Sequence, residues 1–207
     1  MKYFLFAILC LFSATIYGQD TIPKFDGHKW EALYSLPIPK NWTIERFLIP
    51  PSFATQIMYS GVEDIRFAPG WGNIKSEEYW SYSFLWCLDN QPIFTPQVIE
   101  KNLKDYYTGL IRINTDSSKY NRESVSVITK FRLAPITLGE SMACTGTIQM
   151  LDFMTQKEIT LNCKVHLKAC TEINKTILFF ELSPNPFNHN IWLSLDQLWL
   201  NFKCKKI

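Results

Sequence analysis

Two neighbouring carboxylates, Glu63 and Asp64, stand beside Arg66 in this 207-residue chain, and a second acidic pair, Glu77-Glu78, follows a glycine-containing loop. Two acids facing across one cleft could serve as general acid and base in glycoside hydrolysis, which makes Glu63 and Asp64 the candidate catalytic residues of a hydrolase. Charged groups at strand ends are otherwise solvated or ion-paired. Nucleophilic chemistry has less to build on: there is no Gly-x-Ser-x-Gly elbow, and no cysteine stands apart from the others.

Metal binding is disfavoured by spacing. Cys163, His166 and Cys170 form the one His/Cys cluster, and alternate residues of a strand face opposite ways. Cys163 and His166 would point apart, and His166 and Cys170 would lie roughly 13 Å from each other, too far to share a zinc ion. No metal and no cofactor is expected.

The aromatic residues carry the strongest signal. Trp71, Tyr79, Trp80, Tyr82, Phe84 and Trp86 place six large rings within sixteen positions. Flat rings stack on sugars and apolar ligands, but they also fill cores. Trp80, Tyr82, Phe84, Trp86 and Leu88 share one face of a strand and are expected to pack against a helix. Trp71 lies in Pro69-Gly70-Trp71-Gly72-Asn73, which reads as a loop, where a large ring has less reason to be buried. Trp71 is therefore the first candidate ligand-binding residue and Tyr79 the second.

Six cysteines are present, of which Cys10 lies in the apolar leader. Among the other five, Cys144 and Cys163 would share a face of adjacent strands, and Cys170 could instead meet Cys204 near the C-terminus. Both pairings stay open, as do free buried thiols. Asn41-Trp42-Thr43 and Asn174-Lys175-Thr176 match the glycosylation sequon.

The elements that must position these groups follow from periodicity. Residues 19–51 read as an extended, proline-punctuated leading segment of edge strands and links. Strands are predicted at Val62 to Ala68 and over the alternating run from Tyr79 to Leu88. A helix follows, with Thr95 as N-cap, Pro96 at its first position and a buried stripe of Ile99, Leu103, Tyr106 and Leu110. Four further strands, Ser124–Leu133, Ser141–Leu151, Glu158–Ala169 and Lys175–Leu182, are close enough in sequence to pair as a meander. Asn190 would cap a last helix bearing Leu195, Leu198, Trp199 and Phe202. The expected architecture is α+β: a single antiparallel sheet of about six strands with two main helices packed on it.

Residues 1–18 read as a secretory signal peptide: a charged start, an apolar run of about fourteen residues and a smaller-residue stretch before Gln19. A bilayer-spanning helix needs roughly twenty, so cleavage before Gln19 is expected rather than anchoring. Residues 19–207 would then form a single domain in the periplasm or outside the cell. Removing Lys2 lowers the formal net charge from +2 to +1, which leaves no field to recruit nucleic acid.

The run from Gly61 to Trp71, with Glu78-Tyr79-Trp80-Ser81-Tyr82-Ser83-Phe84-Leu85-Trp86 after it, resembles a stretch shared by uncharacterised exported proteins of Gram-negative bacteria. The resemblance covers about thirty residues. It implies a bacterial, exported origin and transfers no activity.

Together these readings favour an exported, non-catalytic binding or accessory module with an aromatic ligand surface, its partner a small molecule, a glycan or an envelope protein. The alternatives are the Glu63/Asp64 hydrolase and an envelope structural or assembly partner.

Overall fold

The computed structural model describes residues 25–115, 126–137 and 139–205. The leader and its cleavage point before Gln19 lie outside these residues, as does Ser124, the expected start of one strand. The main sheet has seven strands, one more than expected. They are β2 (Thr43–Ile49), β3 (Gly61–Phe67), β4 (Tyr82–Asp89), β5 (Ile128–Leu133), β6 (Met142–Asp152), β7 (Lys157–Cys170) and β8 (Lys175–Ser183). Their spatial order is β2-β3-β4-β8-β7-β6-β5, antiparallel throughout. A separate two-stranded ladder joins β1 (Tyr34–Ser35) to β9 (Lys203–Cys204).

Helix α1 (Pro96–Asn114) starts as its sequence dictates: the Thr95 side chain accepts from the Val98 amide at 3.3 Å, and Pro96 lacks the donor that would be orphaned there. It carries the chain from β4 to the far edge, where Glu100 Oε1 accepts from the Phe131 amide and the Glu100 carbonyl from Thr129 Oγ1. The stripe Ile99, Leu103 and Tyr106 is buried against Phe84, Trp86, Leu178 and Phe180. Leu110 is only half-buried, because it faces a cleft rather than closed core.

Helix α2 (Ile191–Leu200) covers the opposite face, packing Leu198 and Trp199 over the odd-numbered side of β4 and β8, while Leu195 clusters with Ile191, Trp192 and Ala68 just past β3. Its start differs from expectation. Asn190 is itself helical and caps nothing; His189 Nδ1 accepts the Ile191 amide instead. Among the described residues no helix is long and apolar enough to cross a membrane.

A disulfide joins Cys170, at the end of β7, to Cys204 in β9, and so ties the small ladder to the sheet. Cys144 and Cys163 remain free and buried. The register explains why: Cys144 opposes Val165 and Cys163 opposes Gly146, so the two thiols share a face but sit on a diagonal. Diagonal neighbours are roughly 7–8 Å apart, beyond the reach of a disulfide. The 34-residue separation of Cys170 and Cys204 gives a testable number. Reduction, or Cys204→Ser, should lower unfolding stability by about 3–4 kcal/mol through loop entropy released to the unfolded chain. An unchanged urea midpoint under reductant would contradict it.

Candidate functional site

The rim of the α1 face, where α1, β2, β3 and two loops meet, is a cleft of about 320 Å³. Eight of its thirteen lining residues are aromatic, so what it offers a ligand is mainly ring surface. Phe67 and Trp71 stand 4.6 Å apart between ring centroids, Phe67 and Tyr82 5.8 Å, Trp71 and Trp80 5.9 Å. The opposite wall is Phe47, Phe53 and Tyr106, with Phe53 and Tyr106 edge to face at 5.1 Å.

Two glycines permit this assembly. At Gly109 in α1 a Cβ would fall 1.8 Å from the Phe53 carbonyl oxygen, so only glycine lets the Phe53 loop press on the helix. At Gly70 a Cβ would fall 2.0 Å from Ser76 Oγ, and the Gly70 amide donates to Glu78 Oε2 at 2.7 Å. That bond closes the loop, and the Trp80 amide donates back to the Trp71 carbonyl at 3.0 Å. Trp71 is held over the cleft, half-buried, with its indole N–H buried and unpartnered.

Asp152 locks the neighbouring rings. It accepts from Tyr79 Oη at 2.7 Å, Trp80 Nε1 at 3.0 Å and the Met154 amide at 2.9 Å, as well as from Thr155 Oγ1. Burial opposes ionisation there, but these four donors outweigh it and hold the carboxyl below its usual range. Tyr79, the second candidate binding residue, is thereby a strut beside the cleft and not part of its lining. Trp80 has φ of 53°, in the left-handed region, so strand alternation begins at Tyr82 and not at Tyr79. Trp80 is fully buried, as core packing predicts for that face.

The tyrosine hydroxyls at the floor turn away from the cleft. Tyr106 donates to Glu63 Oε1 at 2.7 Å, and Tyr82 pairs with Tyr107. Trp86 Nε1 donates to the other Glu63 oxygen at 3.0 Å. Burial pushes the Glu63 carboxyl up to about 8 against the lowering effect of these donors. Glu45, exposed on β2, is the one charged residue among the described residues that line the cleft.

Glu63 and Asp64 do not form an acid pair. Adjacent in β3, they face opposite sides of the sheet, and both are completely buried. Asp64 sits under the leading segment: Arg66 Nη2 donates to it at 3.1 Å, Tyr34 Oη at 2.8 Å, and Arg46 Nε lies 3.0 Å away. Arg66 in turn donates to the Pro37 carbonyl. This ion cluster fastens residues 27–37 to the sheet and leaves no carboxylate for catalysis. Glu77 is exposed and Glu78 serves the Gly70 turn.

A second concavity, of about 390 Å³, lies beside α2 and is lined by Pro135, Thr137, Thr145, Trp199 and Leu200. His166, Lys164 and Asp196 form its charged side. These charges are already matched. His166 Nδ1 meets Glu140 Oε1 at 2.8 Å and its Nε2 lies 3.3 Å from Glu181 Oε1, while Lys164 pairs with Asp196. With both ring nitrogens engaged, His166 has none left for a substrate. Among the described residues no group of three His, Cys, Asp or Glu could hold a metal ion; Cys163 and His166 face opposite sides of β7.

Of the candidate catalytic and binding residues Glu63, Asp64, Trp71 and Tyr79, Trp71 lines the aromatic cleft, and Glu63 lies one hydrogen bond behind its floor. Phe47 and Phe53 were hidden in a proline-rich edge segment, and Phe153 in a hairpin turn. No local signal set these rings apart, since Phe47 runs into Leu48-Ile49 and Phe153 is followed by Met154. No family model, curated protein or solved structure matches this chain.

Proposed function

We propose that this chain is an exported, non-catalytic binding protein that holds a small molecule with a flat or apolar surface in the aromatic cleft. The observation that carries the reading is Trp71: a large ring on a closed loop, half-buried, set against Phe67, Trp80 and Tyr82 in the lining of the cleft. A volume near 300 Å³ is at the small end for ligand sites, which points to a compact ligand. Export rests on the apolar leader and on the Cys170–Cys204 disulfide, a bond that persists in oxidising compartments. Against a hydrolase stand the opposed directions of Glu63 and Asp64 and their fully occupied partners.

The test is titration of the purified protein with N-phenyl-1-naphthylamine, a neutral aromatic probe, followed by its emission. Binding is expected, and Trp71→Ala should weaken it by about tenfold or more, since one stacked ring and its apolar burial are lost. Trp71 is partly exposed and outside the strands, so the variant should keep the wild-type circular dichroism. Unchanged affinity in Trp71→Ala would remove the cleft from consideration.

A further inference from the structure

Resting on the cleft reading, we infer that the ligand is an organic cation of the quaternary or alkylated ammonium type. The charge pattern comes first. Among the described residues that line the cleft, Glu45 alone carries charge and no lysine, arginine or histidine takes part. An anionic ligand would meet that carboxylate with no compensating base, whereas a cation would be drawn to it.

The ring arrangement comes second. An aromatic face is negative and its edge positive, so a cation is stabilised when it sits over several faces at once. Phe67 and Trp71 stand on one side and Phe47 and Phe53 on the other, all four half-buried, over a floor of Tyr82 and Tyr106, whose rings are buried and stacked on Phe84. Glu45's charge reaches the same place: after burial, it is one of the influences that raise the pKa of both Glu63 and the Tyr106 hydroxyl.

The third argument is the shortage of hydrogen-bonding groups. The Tyr82 and Tyr106 hydroxyls and Trp80 Nε1 are committed to Tyr107, Glu63 and Asp152, which leaves Trp71 Nε1, the Asn114 amide and Glu45 as the few polar side-chain groups of the lining. A sugar, which needs many polar partners, would lose its hydration without replacement. A methylated ammonium has no N–H to satisfy and presents only methyl groups carrying diffuse positive charge, which matches ring faces.

Calorimetric titration of the full mature chain with choline, and with its neutral isostere 3,3-dimethylbutan-1-ol, tests this directly. Choline is expected to bind about tenfold or more tightly, the desolvated cation–π range. Glu45→Gln should weaken choline by about three- to tenfold and leave the isostere unchanged; Glu45 is exposed, so folding is not at risk. Equal affinities for the two compounds, or an equal effect of Glu45→Gln on both, would overturn the cation assignment while the cleft stands. Binding of N-phenyl-1-naphthylamine without choline would do the same. If none of the three compounds binds, the cleft reading falls together with it.

Discussion

Asp64→Ala is expected to lower unfolding stability by about 3–5 kcal/mol, because it strands a buried cation. Arg66 is 1% exposed and keeps its carbonyl partners at Pro37 and Ile65, so its guanidinium cannot escape to water when the carboxylate goes. Tyr34 Oη loses its acceptor in the same step, and Arg46 loses its ion pair. The consequence extends beyond β3. Arg46 also holds the Gly27 and Trp30 carbonyls and covers the Trp30 ring at 5.6 Å, so residues 27–37 should become sensitive to protease before the sheet does. Urea denaturation at pH 7, followed by tryptophan emission, measures the loss. The double variant Asp64→Leu with Arg66→Met should recover the part due to the stranded Arg66 charge, while the loss from Tyr34 Oη and Arg46, which still lack their acceptor, remains. A single-variant loss below about 1 kcal/mol would mean that water reaches Arg66, contrary to its burial.

His166→Ala is expected to cost a similar amount, about 3–5 kcal/mol at pH 7, and to change the pH dependence of stability as well. The imidazole bridges Glu140 and Glu181, stacks on Trp199 at 5.0 Å and lies beside Phe179; Lys164 and Asp196 complete the surrounding charges. Burial opposes its charge, but the two carboxylates win and raise its pKa to about 9 from 6.5. That contribution is therefore whole below pH 6.5 and lost as pH rises through 9. Glu140 is the reverse: burial works against ionisation, yet His166 and Thr137 hold it at about 2, so its share is present above pH 4.5 and lost on acidification toward 2. Burial raises Glu181 to about 7 despite His166, so the folded form is penalised as pH climbs from 4.5 to 7. Glu63, raised to about 8, acts in the same direction. Stability should accordingly be higher near pH 5 than at pH 9. His166→Ala should remove the part of that decline lying between pH 6.5 and 9. Urea midpoints at pH 5, 7 and 9 for both proteins decide it; parallel profiles would show that the imidazole does not titrate with the fold.

Some of this could be read from local pattern. Helix α1 needed only Thr95, Pro96 and the spacing of Ile99, Leu103 and Tyr106, because its cap and its stripe are set within a few residues. Strand β4 showed its two faces through alternation alone, and the rings of one face are core. Trp71 stood out as a large ring in a turn. The local pattern failed at two places: Trp80, whose indole is bound by distant Asp152, has a left-handed backbone that alternation does not foresee, and His189 takes the place of Asn190 as the cap of α2.

The same boundary separates what this chain's sequence determined from what tertiary structure decided. An α+β architecture, an antiparallel sheet and an aromatic strand under an amphipathic helix follow from periods of two and 3.6 residues, which each segment carries within itself. Which cysteines meet, which way Glu63 and Asp64 serve, and which rings surround Trp71 depend on register and on loops docked across the sheet. Asp152 reaches back 72 residues to Trp80, and Glu140 and Trp199 meet across 59. Such contacts form only when the whole sheet closes, so a cleft made of them has no signature in any one stretch of the chain.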